Sequence, residues 1–328
     1  MRVGLVGSVS SSLLTLRKLF EYNFDIVGVW GYEPSSTHNV SDYCSLREFS
    51  EEHGLSFHPF VRINDTLTKK EIKFADPELL FVVGLSQMVD NDIMGIPKYG
   101  CVGFHPTKLP RGRGRAPLAW LILNENEGAA TFFKIDSEAD SGDIYVQESF
   151  LVEENDDACS LVEKLSCCIL RALDNWLPTL LENCPIGVKQ DKSEATTYAR
   201  RAPLDGFIDW FRPAKEIHKL IRAASRPFPG AYSFYDDYKV VIWKSRYYQT
   251  GFPIGVIGRV VDFNDGHPVI QTGNGYIELL EYEIQDIQET LAIKDVVIGS
   301  RLGYYEQYEI FRLRNEIKDI KRAIEKQK

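Results

Sequence analysis

Short apolar segments alternate with amphipathic ones through the first half of the chain. RVGLVG (2–7), DIVGVWG (25–31), LLFVVGLS (79–86) and CVGFH (101–105) are typical of strands buried in a parallel sheet. The segment after the first strand, SSSLLTLRKLF, places its leucines on one helical face. The alternation predicts a doubly wound, Rossmann-like α/β domain with its active site at the carboxyl ends of the strands.

The pattern changes near residue 190, where KQDKSEATTYARRAPLDG is polar and irregular. Beyond it, short strand patterns such as AYSFY and KVVIWKSRYY are separated by the turn signals DDY, NDG and GNG. These features predict a small antiparallel, OB-like β-barrel. We therefore expect a catalytic domain at 1–190, a barrel at 191–300 and a C-terminal helix at 301–328.

The final segment carries a coiled-coil pattern. Ile310, Leu313, Ile317, Ile320 and Ile324 follow one another at intervals of 3, 4, 3 and 4 residues. Two interpretations stay open: the helix packs on its own barrel, or it forms a homodimer contact.

Charge and composition narrow the function classes. Hydrophobic residues make up 44% of the 328, enough for a sizeable core, and the net charge is −9. An acidic chain weighs against a broad nucleic-acid surface, so we expect no nucleic-acid partner. The six cysteines form no C-x-x-C pair, and the interpretation is reduced core residues. With neither a signal-peptide core nor a membrane-length apolar run, the sequence predicts a cytoplasmic protein without a membrane partner.

Two glycine-containing segments invite a ligand hypothesis. GLVGSVSSS lacks both G-x-G-x-x-G and the Walker lysine, so a tight strand-to-helix turn is favoured over a phosphate site. RGRGR (111–115) is interpreted as a flexible, positively charged lid, with Arg113 and Arg115 as candidates for holding an anionic group. A purely solvated loop remains the alternative.

Metal and acyl-serine chemistry find no support in the motifs. No two of the six histidines have close metal-ligand spacing, and no G-x-S-x-G elbow occurs. We expect no metal site.

The strongest candidate pair is His105 with Asp140. His105 closes a predicted strand, and Asp140 lies in the acidic segment IDSEADSGDI (135–144). A carboxylate beside an imidazole raises its basicity and fixes its tautomer, which suits general base catalysis. Strand-end histidines and loop aspartates are also common without any such role.

At these residues the chain resembles a family. GFHPTKLPRGRGRAPLAW followed by DSEADSGDI is similar to the signature of formyltransferases that use 10-formyltetrahydrofolate. LLFVVGLSQMV resembles the family's pterin-binding strand and loop. ATTYARRAPLDGFIDWFRPAKEIHKLIRAASRPFPGAY resembles the opening of the small C-terminal domain of methionyl-tRNA and sugar formyltransferases. The similarity spans roughly residues 1–285, so it leaves the final helix unexplained.

The resemblance implies residue roles, with one departure. The family's catalytic histidine and aspartate map to His105 and Asp140, whereas its asparagine maps to Gly103. That asparagine is expected to stabilise the charge on the formyl oxygen, and losing such a donor can cost about 100- to 1000-fold in rate. Another donor (imidazolium His105, the backbone, Lys108 or water) compensates, or Gly103 makes room for a bulky substrate or side chain, or the chain is a weak catalyst.

The resemblance also implies binding residues. The pterin is expected against the backbone of two loops, formed by Leu85, Ser86, Gln87, Met88 and Val89, and by Ile135, Asp136, Ala139 and Asp140. The substrate is expected near Gly103, Lys108, Arg113 and Arg115.

The function expected from the resemblance is N-formyl transfer to an amino-sugar, free or nucleotide-linked, in surface-glycan synthesis. RGRGRAPLAW resembles sugar formyltransferases more than the tRNA enzymes. Four alternatives stay open: a methionyl-tRNA formyltransferase, a peptide-synthetase formylation activity on a carrier-bound amine, a folate-binding module without catalysis, and a hydrolase that releases formate.

Overall fold

A computed structural model of the chain describes residues 1–34, 42–124, 127–236, 238–286, 296–304 and 306–326. The chain divides into two compact units. Unit 1 comprises Met1–Ala202 with Arg226–Phe228, and unit 2 comprises Pro203–Ser225 with Pro229–Lys328.

Unit 1 is built on a seven-stranded sheet in the order β3-β2-β1-β4-β5-β7-β8. Its strands are β1 (Arg2–Gly7), β2 (Asp25–Tyr32), β3 (Phe57–Phe60), β4 (Leu79–Val83), β5 (Cys101–Thr107), β7 (Gly128–Lys134) and β8 (Ile144–Phe150). The first five run parallel, and β7 and β8 are antiparallel additions at one edge. The predicted doubly wound sheet is confirmed, with its strand order reversing between β1 and β4.

Within the described residues of unit 1, six α-helices connect and cover this sheet. They are α1 (Ser10–Glu21), α2 (Arg47–Glu52), α3 (Thr66–Ala75), α4 (Asn91–Met94), α5 (Pro117–Asn124) and α6 (Ala158–Glu182). The central strand β4 is buried along its whole length, as its uninterrupted apolar sequence requires. The helices bury their own apolar faces against it and its neighbours, so the sheet edge with the strand carboxyl ends is left for a site.

Strand β4 ends earlier than the sequence pattern predicted, at Val83 rather than at residue 86. Gly84 adopts a φ of 65° and turns the chain out of the sheet. A side chain there is excluded, because a Cβ would lie 2.0 Å from the Val9 side chain. Residues 85–89 therefore form a loop at the sheet edge.

The boundary between the units follows residue 202 rather than residue 190. The short strand β6 (Arg113–Gly114) pairs in parallel with β9 (Thr197–Tyr198), which draws the polar segment after α6 back onto unit 1. Gln190 also bonds to unit 1 residues. The polar composition of this segment is typical of a linker. Its contacts with unit 1 are polar and join residues far apart in sequence, so composition does not reveal them.

Unit 2 contains the predicted antiparallel strands and, among its described residues, two α-helices. Its five-stranded sheet has the order β10-β11-β14-β13-β12. The elements are α7 (Ala214–Ala224), β10 (Ala231–Tyr235), β11 (Tyr238–Tyr248), β12 (Val260–Asn264), β13 (His267–Gln271), β14 (Tyr276–Asp286) and α8 (Glu306–Lys326). One face of α7 packs with the sheet in a core that includes Trp210, Ile217 and Ile277.

The cysteines differ from the expectation of six core residues. Cys101 and Cys168 are buried, but Cys159, Cys167 and Cys184 are exposed. The amphipathic α6 turns the first two of these exposed cysteines toward solvent, away from its leucine face. Burial raises the pKa of the Cys101 thiol to about 12. Among the described residues, no helix combines the length and the apolar character needed to cross a membrane.

Candidate active site

A cavity of about 480 Å³ opens at the carboxyl ends of the parallel strands in unit 1. Residues 9–11 after β1, residues 84–89 after β4 and residues 103–106 of β5 line it. Phe133, Ile135, Leu165 and Ile169 add apolar walls. The cavity therefore lies where a doubly wound sheet places its ligands, at the reversal of strand order.

His105 lies in β5 and is almost completely buried, at 5% exposure. Its Nε2 lies 2.8 Å from the carbonyl oxygen of Gly112. A carbonyl oxygen only accepts hydrogen bonds, so Nε2 carries the proton in this geometry. The ring nitrogen left free to take up a proton is therefore Nδ1.

Asp140 faces that nitrogen. Its Oδ2 lies 3.6 Å from Nδ1 of His105 and accepts a hydrogen bond of 2.9 Å from the amide of Gly114. Asp140 has a left-handed φ of 54°, a conformation that aspartate tolerates better than most residues. The structure thus brings together the two residues that the sequence analysis paired. A proton on Nδ1 would complete an ion pair with this carboxylate.

Gln190 fixes the Asp140 loop, and the sequence analysis did not single it out. Its Nε2 donates to the carbonyl oxygens of Asp140 (3.0 Å) and Gly142 (2.7 Å). Its Oε1 accepts from the Arg113 guanidinium, the shorter bond being 2.6 Å. A lone glutamine in a polar segment carries no local signal, and only the fold shows what it contacts.

Phe133 covers Gly103. The two residues pair across β5 and β7. A Cβ at residue 103 would lie 2.7 Å from Cζ of Phe133 and 3.0 Å from Cγ1 of Ile135. Of the explanations left open for this glycine, the structure matches the one in which it makes room for a neighbouring side chain.

The RGRGR loop contacts the polar segment that follows α6. The Gly112 amide donates to Oγ1 of Thr196 at 2.9 Å, and Arg111 pairs with Glu194. Gly112 and Gly114 have positive φ, and β9 packs closely against both, so side chains there would collide with Tyr198. The glycines allow close contact with β9.

The three basic residues predicted to bind substrate lie in different settings. Arg115 lines the cavity, and no hydrogen bond or ion pair of its guanidinium occurs among the described residues. Arg113 bonds to Gln190, and both oxygens of the Glu127 carboxylate accept hydrogen bonds from Lys108 Nζ, at 2.8 and 2.7 Å. Neither Arg113 nor Lys108 lines the cavity.

Both loops predicted to bind the pterin line the cavity. These residues are Leu85, Ser86, Gln87, Met88, Val89, Ile135, Asp136, Ala139 and Asp140. The Gln87 amide group bonds to the backbone at Val61 and Ile63, and Asp136 accepts from Ser141 at 2.6 Å. The Gln87 and Asp136 side chains thus hold the two loops in place by hydrogen bonds. The backbone groups of the loops are left to contact a ligand.

The turn after β1 contributes further lining residues that the sequence analysis interpreted as structural. Ser10 and Ser11 line the cavity together with Asp42, and the Ser10 hydroxyl donates to the Asp42 carboxylate. Ser12 tightens the turn, because its hydroxyl donates to the Val83 carbonyl at 2.6 Å. The tight turn expected at GLVGSVSSS is present. In the part of the chain that the structure describes, no group of three histidine, cysteine or acidic residues is arranged to hold a metal.

Comparison with known proteins decides the family. A family model described as "Formyl transferase" matches residues 45–170, and one described as "Formyl transferase, C-terminal domain" matches residues 202–300. A methionyl-tRNA formyltransferase from Caldanaerobacter subterraneus subsp. tengcongensis is 30% identical over 308 residues, or 92% of this chain and 98% of that protein. The chain belongs to the formyltransferase family.

Solved structures share the fold of this formyltransferase. WlaRD, a sugar 3N-formyltransferase solved in the presence of dTDP and 5-N-formyl-THF, superposes with a TM-score of 0.62 at 19% identity, covering 88% of this chain and 98% of that one. HypX from Aquifex aeolicus, solved with tetrahydrofolic acid, superposes with a TM-score of 0.61 at 18% identity. That match covers 86% of this chain but 44% of HypX, so the chain spans less than half of that protein.

Proposed function

We propose that this formyltransferase moves a formyl group from 10-formyltetrahydrofolate to the amine of an amino-sugar. The observation that carries the proposal is the pair formed by buried His105 and partly exposed Asp140 at the edge of a cavity of about 480 Å³. Such a cavity has the size of a small-molecule site.

The cavity suits a folate donor. Its walls combine apolar side chains such as Ile135 and Ile169 with the backbone of residues 85–89. A pterin is flat and carries several donors and acceptors, which backbone groups of a braced loop can satisfy. When bound, 10-formyltetrahydrofolate supplies the formyl group that the acceptor amine attacks. Two solved structures with this fold were determined with a folate, WlaRD and HypX.

His105 acts as the general base in this proposal. The attacking amine must lose a proton as the new C–N bond forms, and Nδ1 of His105 is the ring nitrogen able to receive it. Asp140 stabilises the imidazolium, because its Oδ2 faces the same nitrogen. The proton then passes to the departing nitrogen of the donor, so that the folate leaves as a neutral amine. Holding the formyl donor and the acceptor amine together in one cavity raises the rate further.

Gly103 leaves the formyl oxygen without the side-chain donor that the resemblance implies. Lys108 is engaged by Glu127 outside the cavity lining, which argues against it as the substitute. We assign the compensation to the imidazolium of His105, whose positive charge forms in a buried site as negative charge develops on the formyl oxygen.

The acceptor proposal rests on charge. Arg115 lines the cavity, and within the described part of the chain its guanidinium has no hydrogen-bond or ion-pair partner, which suits it to the phosphates of a nucleotide-linked sugar. A net charge of −9 does not favour a tRNA. WlaRD, which shares the fold, is a sugar formyltransferase.

Methionyl-tRNA is the second candidate acceptor. The observation in its favour is the 30% identity to a methionyl-tRNA formyltransferase across 92% of this chain. Binding a tRNA would require phosphate contacts, and its affinity would fall steeply as salt is raised.

An acceptor panel tests the proposal. Purified protein is given 10-formyltetrahydrofolate with nucleotide-linked amino-sugars, free amino-sugars or methionyl-tRNA, and the formyl gain of each acceptor is followed by mass spectrometry. Formylation of an amino-sugar supports the proposal, and formylation of methionyl-tRNA alone replaces it with the second candidate. Formate release without an acceptor would identify a hydrolase, and folate binding without turnover would identify a binding module.

A further inference from the structure

Helix α8 carries an exposed apolar row that the family resemblance and the active site leave unused. The row consists of Ile310, Leu313, Ile317, Ile320 and Ile324, each between 49% and 60% exposed. An α-helix that packs its apolar face on its own domain buries those residues, and these five are half open instead. The interpretation of a helix packed on its own barrel therefore does not account for the row.

The spacing of the row assigns a heptad register. Ile310, Ile317 and Ile324 occupy position a, and Leu313 and Ile320 occupy position d. Isoleucine at position a with leucine at position d favours two parallel strands, which Leu313 fits, whereas Ile320 at the second d position favours a higher oligomer. The row is therefore suited to a second helix with the same pattern.

Charges beside the row specify the partner and its direction. Position g holds Glu309 and Glu316, and position e holds Arg314 and Lys321. In a parallel pair of identical helices, each g residue meets the e residue five positions further along in the partner. Glu309 would then face Arg314, and Glu316 would face Lys321. An antiparallel pair would instead set g against g and e against e, placing like charges together.

Contacts within one helix already orient these glutamates. The Arg312 guanidinium lies 3.1 Å from Glu309 and 3.8 Å from Glu316. Both carboxylates are thereby kept on one side of the row. Exposed ion pairs of this kind are weak, so they can give way to pairs across an interface.

We propose that two copies of this chain associate through α8, in parallel and in register, to form a two-stranded coiled coil. The interface is the same surface on both copies, as a two-fold symmetric dimer requires. The apolar row supplies the burial, and the charges at g and e select the parallel direction.

The first test compares two substitutions in the full-length chain. Ile317→Asp places a charge in the centre of the row, whereas Phe311→Asp makes the same kind of change at an exposed residue off the row, 62% exposed. Sedimentation velocity over a wide range of concentration measures the dimer dissociation constant. We expect the parent chain and Phe311→Asp to form a dimer. For Ile317→Asp we expect the dimer dissociation constant to rise about 100-fold or more. A monomer or trimer of the parent chain, or equal effects of the two substitutions, overturns the proposal.

The second test addresses direction. In the parallel dimer, Glu316→Lys and Lys321→Glu each create like-charge pairs and raise the dissociation constant, by about two- to tenfold. Combining them restores opposite charges and the parent constant. In an antiparallel dimer residues 316 and 321 would not face each other, so combining the two changes would not restore the parent dissociation constant, which contradicts the proposal. Circular dichroism of each variant verifies that the helix is retained.

Discussion

The ring of Phe133 fills the space that a side chain at Gly103 would need, with Cζ only 2.7 Å from the Cβ position. Phe133 is itself buried, at 4% exposure, so its ring has little freedom to move away. The glycine and the phenylalanine are thus one packing arrangement across β5 and β7. Restoring an asparagine at residue 103 is a change to the core as well as to the site.

Gly103→Asn is therefore expected to destabilise the protein by about 1–3 kcal/mol through overpacking. Phe133→Leu shortens the obstructing side chain and should relieve part of that cost. In a double-mutant cycle measured by urea unfolding, the double variant should be at least about 1 kcal/mol more stable than the sum of the single changes predicts. Additive effects would show that the ring does not exclude the side chain.

Gln190→Ala should slow formyl transfer without unfolding the protein. Removing the amide frees the Asp140 loop from its bonds to Gln190 and leaves the Arg113 guanidinium without that partner. Because small misplacements of reacting groups are costly, kcat should fall by about 10- to 100-fold. Steady-state kinetics measures the change, with Gln249→Ala at an exposed position as the control. A raised KM with an unchanged kcat would count against a positioning role.

Arg115→Ala should weaken binding of an anionic acceptor. Losing charge-assisted hydrogen bonds of about 1.5–3 kcal/mol corresponds to a KM about 10- to 100-fold higher. Arg111→Ala is the matched control in the same loop, since Arg111 is exposed, pairs with Glu194 and does not line the cavity. Equal effects of the two substitutions would argue against a specific role for Arg115.

The Asp156 carboxylate should make stability depend on acid pH. It accepts hydrogen bonds from Lys164 Nζ, the Glu153 amide and the Ser160 hydroxyl at the start of α6. Burial alone would raise the pKa of Asp156, but these bonds outweigh burial and hold the pKa below its ordinary value of 3.8. A lowered pKa in the folded state stabilises the protein above about pH 4, and this contribution is lost as the pH falls through the folded pKa.

Asp156→Asn should accordingly cost about 1.5–3 kcal/mol at neutral pH, and the difference from the parent should shrink below about pH 4. Urea unfolding at neutral and acid pH measures the difference in the free energy of unfolding between variant and parent. The exposed Asp25→Asn is the control. A difference that stays constant down to acid pH would show that the carboxylate charge is not responsible.

The sequence predicted the parts of the site that depend on local patterns. His105 follows a buried apolar run, so a strand end located it. The loop at residues 85–89 was expected from the family resemblance, because the apolar pattern alone extended the strand to residue 86. The parts that it missed depend on contacts between distant segments. Gln190 reaches Asp140 across 50 residues, and β9 pairs with β6 across more than 80. Polar segments of this kind have no periodicity, so their positions become visible only in the fold.

The rate of formyl transfer to an amino-sugar in His105→Gln and Asp140→Asn, beside the parent chain, tests the central claim most directly. His53→Gln is the control, since His53 is exposed and lies outside the cavity lining. We predict that each site substitution lowers the rate by about 100- to 10,000-fold with folate binding retained, while the control keeps the parent rate. A near-parent rate in either site variant would contradict the account.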